Sequence, residues 1–358
     1  QGIPAGILGE KNKSLDHGVM VPLYFVNKYY NDYKLIRISV SGLSSLEHYK
    51  FGKCIGEVSE KSGKTIVFIG SGDLSHMLKD EGPYGYREEG PVFDREVTKA
   101  MKTGNFLEFL KFDEDFCESA GECGLRSFII MAGALDRKNV SSEFLSYEGP
   151  FGVGYAVAAF NVLENDEERC FYEIYLKNET ERVESLKSEE DEYVRLARQT
   201  LESYVINRKI IRRPDDLSND MTSNRAGVFV SLKLDGNLRG CIGTTSPTTQ
   251  SIADEIIQNA ISAGAEDPRF PPVCEEELKR LVYSVDVLGD AEKIRSADEL
   301  NPEKYGVIVS KGHRKGLLLP NLEGVDTAEE QVSIALKKAG ISPAENYKLE
   351  RFEVVRHK

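Results

Sequence analysis

Thr65-Ile66-Val67-Phe68-Ile69-Gly70-Ser71-Gly72-Asp73-Leu74-Ser75-His76 decides the first half of the chain, because a β-branched apolar run breaks there into small and polar residues. Such a run ending in Gly-Ser-Gly predicts a buried parallel strand, and ligands of open α/β sheets gather beyond the carboxyl ends of those strands. His76 is one of only five histidines in the chain, and its place after the glycines makes it a candidate proton donor or acceptor in a cleft. The alternative is a polar side chain that satisfies its own loop.

Working outward, Leu35 to Val40 reads as a strand, Ser44 to Glu60 as a helix closed by Gly63, and Thr65 to Ile69 as the next strand. This order predicts a βαβ unit with a right-handed crossover, and places His48 on the solvated face of its helix. Helices are expected at about Pro91 to Lys102 and Gly121 to Leu135, the latter with Phe128, Ile129, Met131 and Ala132 as its apolar side. Phe151 to Phe160 reads as a strand. Its glycines at 149, 152 and 154 precede the strand, opposite to the order of a dinucleotide site, so nucleotide binding is not expected.

From Lys177 to Glu192 the composition shifts to Glu, Lys, Asn, Asp and Ser, which reads as an acidic linker over 177–188. The domains expected are therefore 1–176 and 189–358. In the second, a helix at about 189–208 precedes an alternating hairpin, Val228 to Leu234 and Leu238 to Ile242, turned by Asp235-Gly236-Asn237. Helix 250–264, strand 281–288, hairpin 307–319, helix 327–339 and strand 348–355 complete an α+β domain.

Composition narrows the function. At 358 residues with a net charge of −13, the chain lacks the concentrated basic face of a general nucleic-acid binder, and no apolar run approaches the roughly 20 residues that cross a bilayer. No secretory signal pattern is read, so a cytoplasmic location is expected. The six cysteines (Cys54, Cys117, Cys123, Cys170, Cys241 and Cys274) contain no CxxC pair and suit reduced thiols. The chain opens on Gln1 with residues that read like a domain interior, which leads us to expect further sequence upstream.

Leu15-Asp16-His17-Gly18-Val19-Met20-Val21-Pro22-Leu23 and Gly70-Ser71-Gly72-Asp73-Leu74-Ser75-His76, with Phe151-Gly152-Val153-Gly154-Tyr155-Ala156, together resemble the class III extradiol dioxygenase (LigB) and Memo family. The resemblance covers Gln1 to about Leu176 and implies an α/β domain with a sheet flanked by helices. It also implies a non-haem Fe(II), or another divalent metal, held by two early histidines that would lie upstream of Gln1 and by one late ligand. His17 and His76 match the family positions beside the metal, one orienting bound dioxygen and substrate and the other acting as acid or base. The late ligand is glutamate in the dioxygenases and cysteine in Memo-like members, and Glu122 and Cys123 stand side by side here. Both remain open. Ring cleavage needs a metal with vacant positions for a catecholate and dioxygen, which fits a small-molecule substrate.

Leu238-Arg239-Gly240-Cys241-Ile242-Gly243, Ala265-Glu266-Asp267-Pro268-Arg269-Phe270 and Gly316-Leu317-Leu318-Leu319-Pro320 resemble the AMMECR family over roughly 192–358. Arg239 and Arg269 could lower the Cys241 thiol or hold an anion. Against that stands a buried strand cysteine with Arg239 and Asp267 as a structural ion pair, the reading we take. The pairing of the two domains resembles the A protein of AMMECR, Memo and radical-SAM systems, which implies a radical-SAM protein as partner. This chain has no CxxxCxxC cluster motif of its own.

Overall fold

Ser44 closes a capping box with Glu47 and starts a long helix that Gly63 ends in the left-handed conformation. The computed structural model describes residues 15–322 and 324–358. It separates into two compact units, Gln1–Asn178 and Glu179–Lys358. The expectation for residues 1–14 lies outside the described residues.

In the first unit, α1 (His17–Val26), α2 (Ser45–Ser62), α3 (Glu89–Thr103), α4 (Glu114–Ala120) and α5 (Leu125–Ala134) precede an antiparallel hairpin of β1 (Lys138–Glu148) and β2 (Tyr155–Asn165). Tyr49 of α2, Phe93 and Val97 of α3, Phe106 and Phe109 of the short 3-10 turn that follows α3, and Ile129 of α5 meet in one buried core. Residues 121–124 form a break between α4 and α5 rather than the first turn of one helix, because Gly121 takes a left-handed φ of 64° that caps α4. Glu122 and Cys123 therefore sit in a loop.

Two expectations for this unit are corrected, and the stretch at its end takes a form that composition does not show. Residues 35–40 and 65–69 form no strand, and Ile36 and Val67 are 84% and 81% exposed. A β-branched run becomes a strand only when a neighbour takes its hydrogen bonds, and among the described residues neither segment has one. His48 is buried, not solvated: one ring nitrogen lies 2.9 Å from the Ser44 carbonyl and the other accepts from the Ser41 amide at 3.2 Å. Finally, the acidic stretch 177–188, across which the two units divide, is helical, as part of α6 (Phe171–Glu189), with Val183 buried at 1% exposure. An acidic helix with one apolar stripe reads as a linker by composition alone.

The second unit follows its expected order closely. α7 (Glu192–Asn207) and α8 (Asn219–Ser223) lead to β3 (Val228–Leu234) and β4 (Asn237–Gly243), then α9 (Ile252–Ala265), β5 (Leu281–Leu288), β6 (Glu292–Ile294), β7 (Gly306–Lys311), β8 (Arg314–Leu318), α10 (Ala328–Ala339), β9 (Lys348–Phe352) and β10 (Val354–His357). The turn between β3 and β4 holds Asp235 at φ 52° and Gly236 at φ 86°, the left-handed pair a two-residue hairpin needs. Two four-stranded antiparallel sheets result, ordered β10-β5-β3-β4 and β6-β9-β7-β8. The single strand expected over 348–355 is thus two, one in each sheet. The mixed class expected, an α/β domain followed by an α+β domain, holds, with the two-stranded β1-β2 hairpin as the sheet among the described residues of the first unit.

Candidate metal centre

Gly72 and Gly124 bring the site together. A Cβ on Gly72 would stand 2.3 Å from the Gly124 Cα, so the loop after residue 69 lies backbone to backbone against the break between α4 and α5. That approach sets the Asp73 amide to donate to Cys123 Sγ at 3.2 Å. His76 Nε2 lies 3.7 Å from the same sulfur and 3.5 Å from an Asp73 carboxylate oxygen. One ligand atom each from Asp73, His76 and Cys123 falls within 4.8 Å of the others. Asp73 and His76 share an i,i+3 spacing that the sequence displayed, although only His76 was singled out from it.

Glu122 points elsewhere. Its carboxylate accepts from the Leu125 amide at 2.7 Å, at the start of α5, and burial raises its pKa although the Leu125 amide and Arg126 pull the other way. His17 opens α1, where Asp16 caps the helix by accepting from the Val19 amide at 3.0 Å. Ser71 donates to the Gly18 carbonyl at 2.6 Å and so ties this helix start to the loop of Asp73 and His76. His17 itself is exposed and stands outside the three-donor group.

Thiol, imidazole and carboxylate in one cluster suit a first-row divalent ion, and three protein donors leave coordination positions open. Burial pushes the Cys123 thiol up, opposed by the Asp73 amide and reinforced by the charges of Asp73 and Glu122, and a bound cation would favour its thiolate. Asp73 is 42% and His76 22% exposed, which keeps one side of the cluster accessible. Tyr84 stacks on the His76 ring with centroids 5.1 Å apart. Burial, then neighbouring Asp73, Tyr84 and Cys123, raise the Tyr155 hydroxyl. Tyr84 and Tyr155 were not singled out from sequence, since nothing local connects either to His76.

In the second unit the expected partners are exchanged. Arg239 pairs with Glu277 through two contacts of 2.6 and 3.0 Å, not with Asp267. Asp267 instead takes Arg269 in a fork at 2.9 and 2.7 Å and accepts from the Cys241 amide at 2.9 Å. Arg269 also donates to the Cys241 carbonyl at 3.1 Å, and Ser231 donates to its sulfur at 3.2 Å. Both guanidinium groups are thus bound to carboxylates rather than aimed at the thiol. The same unit buries Glu255, which accepts from Thr244, Thr248 and Thr249 and fixes the loop after β4. Burial works to raise its pKa, and these hydrogen bonds outweigh it.

The Arg269 fork, with the Cys241 amide, holds the Asp267 carboxyl below the usual carboxylate range. A depressed folded pKa gives stability that is present above the unfolded value of about 3.9 and is lost as pH falls towards the folded one. Asp267→Asn should therefore destabilise the unit by about 2 kcal/mol at pH 7, with the deficit shrinking below about pH 4. Urea unfolding of the two proteins at both pH values checks this.

Residues 1–158 match the family described as the catalytic LigB subunit of aromatic ring-opening dioxygenase, and residues 194–357 match AMMECR1. Protein CA_C1420 of Clostridium acetobutylicum is 48% identical over 360 residues, 98% of this chain and 75% of its own length. A Thermotoga maritima protein is 50% identical over 171 residues, 47% of this chain and 98% of its own. The crystal structure of PH0010 from Pyrococcus horikoshii is 34% identical, covers 46% of this chain and 88% of that one, and has a TM-score of 0.43. Among the described residues no helix is long and apolar enough to cross a membrane. The chain belongs to the family it shares with the Clostridium protein, and joins a LigB-type domain to an AMMECR1 domain.

Proposed function

We propose that the first domain is a metal-dependent oxidoreductase domain related to extradiol ring-cleaving dioxygenases, with a divalent ion held by Cys123, His76 and Asp73. The observation that carries this reading is the convergence of three donor atoms within 4.8 Å at the surface of the loop pair. Cys123 serves as the late ligand in place of Glu122, whose carboxylate is engaged at the start of α5. Fe(II) is the metal the family relation favours; when bound it would supply open positions and redox chemistry. The Tyr84 ring beside His76 gives a flat wall suited to an aromatic small molecule. His17, exposed near the same loop, is the imidazole left to carry a proton.

A second reading has one observation in its favour. A cysteine, Cys123, converges with His76 and Asp73 where ring-cleaving enzymes carry a carboxylate, as in Memo-like proteins, so the domain could serve as a non-catalytic module for metal or protein binding. Iron content after anaerobic purification, with oxygen uptake on catechols, separates the two. Stoichiometric iron with uptake lost in His76→Ala supports the enzyme, and iron without uptake supports the module. Protein that takes no metal and shows no uptake contradicts the enzyme and supports a protein-binding module.

For the AMMECR1 domain we propose an accessory role in binding a small anionic or peptide ligand, with a radical-SAM protein as working partner in the cytoplasm. Co-elution of the whole chain with a radical-SAM protein from the same source tests the partnership.

A further inference from the structure

Ser75 lies directly before His76, is fully buried, and uses all of its polar groups. Its amide donates to Asp94 Oδ1 at 2.8 Å, and its hydroxyl donates to the Ala120 carbonyl at 2.7 Å. The same hydroxyl accepts from the Met77 amide at 2.9 Å, while the Ser75 carbonyl accepts from the Gly154 amide at 2.7 Å. The His76 amide donates to the Gly121 carbonyl at 3.3 Å, so residues 75 and 76 are pinned to the loop that carries Cys123.

Asp94, on α3, is 1% exposed, and its second oxygen accepts from the Tyr147 hydroxyl of β1 at 2.7 Å. A Cβ on Gly154 would stand 2.0 Å from that oxygen, so the residue ahead of β2 leaves space only for the carboxylate. Burial raises Asp94, which the Tyr147 and Ser75 hydrogen bonds oppose. A buried carboxylate is costly to keep, and this one is satisfied by one donor from β1 and one from the loop of His76 itself.

We infer that Asp94 and Tyr147 are positioning residues for the donor group: a Tyr147–Asp94–Ser75 clamp that holds His76 and Asp73 against Cys123. Its functional meaning rests on the metal reading above; its geometry does not. Neither residue belongs to the three-donor group. Removing the clamp lets the 73–77 loop drift, which separates His76 and the Asp73 amide from the sulfur and uncovers more of a thiol whose residue already lies at the surface.

Two readouts test the clamp. The first, without metal, is the iodoacetamide alkylation rate of Cys123 followed by peptide mass spectrometry, with exposed Cys274 of the other unit as internal reference. The second is Co(II) affinity. Asp94→Ala should raise Cys123 alkylation roughly fivefold relative to Cys274 and weaken Co(II) binding by about tenfold. Asp94→Asn keeps an acceptor for the Ser75 amide and should stay within about twofold of the parent in both. Tyr147→Phe, which leaves the carboxylate in place, should move both readouts in the direction of alanine, and decides the matter if Asp94→Ala does not fold. A role in stability alone would lower Tm and leave alkylation and affinity unchanged below the transition, and that result overturns the proposal. So does an Asp94→Asn loss as large as that of alanine. If the parent binds no Co(II), the metal reading fails while the alkylation result still decides the clamp.

Discussion

Cys123→Ser should lose at least about a hundredfold in affinity for Co(II) or Zn(II), close to 2.7 kcal/mol. The sulfur is the soft donor of the cluster and the atom to which both the Asp73 amide and His76 Nε2 are directed. Serine keeps the shape but has a hydroxyl that does not ionise near neutral pH, so the ion would be left with imidazole and carboxylate alone. Glu122→Gln should change affinity by less than about threefold, because its carboxylate serves the Leu125 amide. Isothermal titration of the two variants beside the parent gives the comparison. A deficit in Glu122→Gln matching that of Cys123→Ser would return the late ligand to the carboxylate.

Gly52→Ala should cost the first unit about 3 kcal/mol or more. At that point α2 and α5 cross so closely that a Cβ on Gly52 would stand 2.1 Å from the Ile130 carbonyl oxygen, and one on Gly133 would stand 2.2 Å from the Tyr49 carbonyl oxygen. Both obstacles are backbone, so no side-chain rotation relieves them and the helices must separate. Core residues Tyr49 and Ile129 lie on these two helices, so separation also opens the core. Because α5 begins just after Cys123 and Gly124, the same variant should disturb metal binding. Gly42→Ala is the control: nothing lies within 4 Å of a Cβ there, and its urea midpoint should match the parent. An unchanged midpoint in Gly52→Ala would mean the crossing is looser than described.

The second domain was legible because its signals are local. Asp235-Gly236 fixes a hairpin by turn chemistry, and alternation on either side sets the faces of β3 and β4. The first domain depends on partners distant in sequence. Residues 65–69 have strand composition, yet a strand also needs a neighbour, and composition names none. His76 was legible as a site residue because it follows a glycine break. Cys123 could not be separated from Glu122, since adjacent residues in a loop share every local signal. The close approach of Gly72 to Gly124 distinguishes them, and it joins segments about fifty residues apart. Charge pairing behaved similarly: Asp267 is forked by Arg269, two residues away, while Arg239 reaches Glu277 across 38 positions.

X-ray absorption at the metal edge of the Zn(II)- or Fe(II)-loaded whole chain tests the central claim most directly, since it reports the donors without needing a substrate. The account predicts one sulfur scatterer near 2.3 Å, absent in Cys123→Ser, with the remaining shell made of nitrogen and oxygen. A shell of nitrogen and oxygen alone in the parent protein would contradict it.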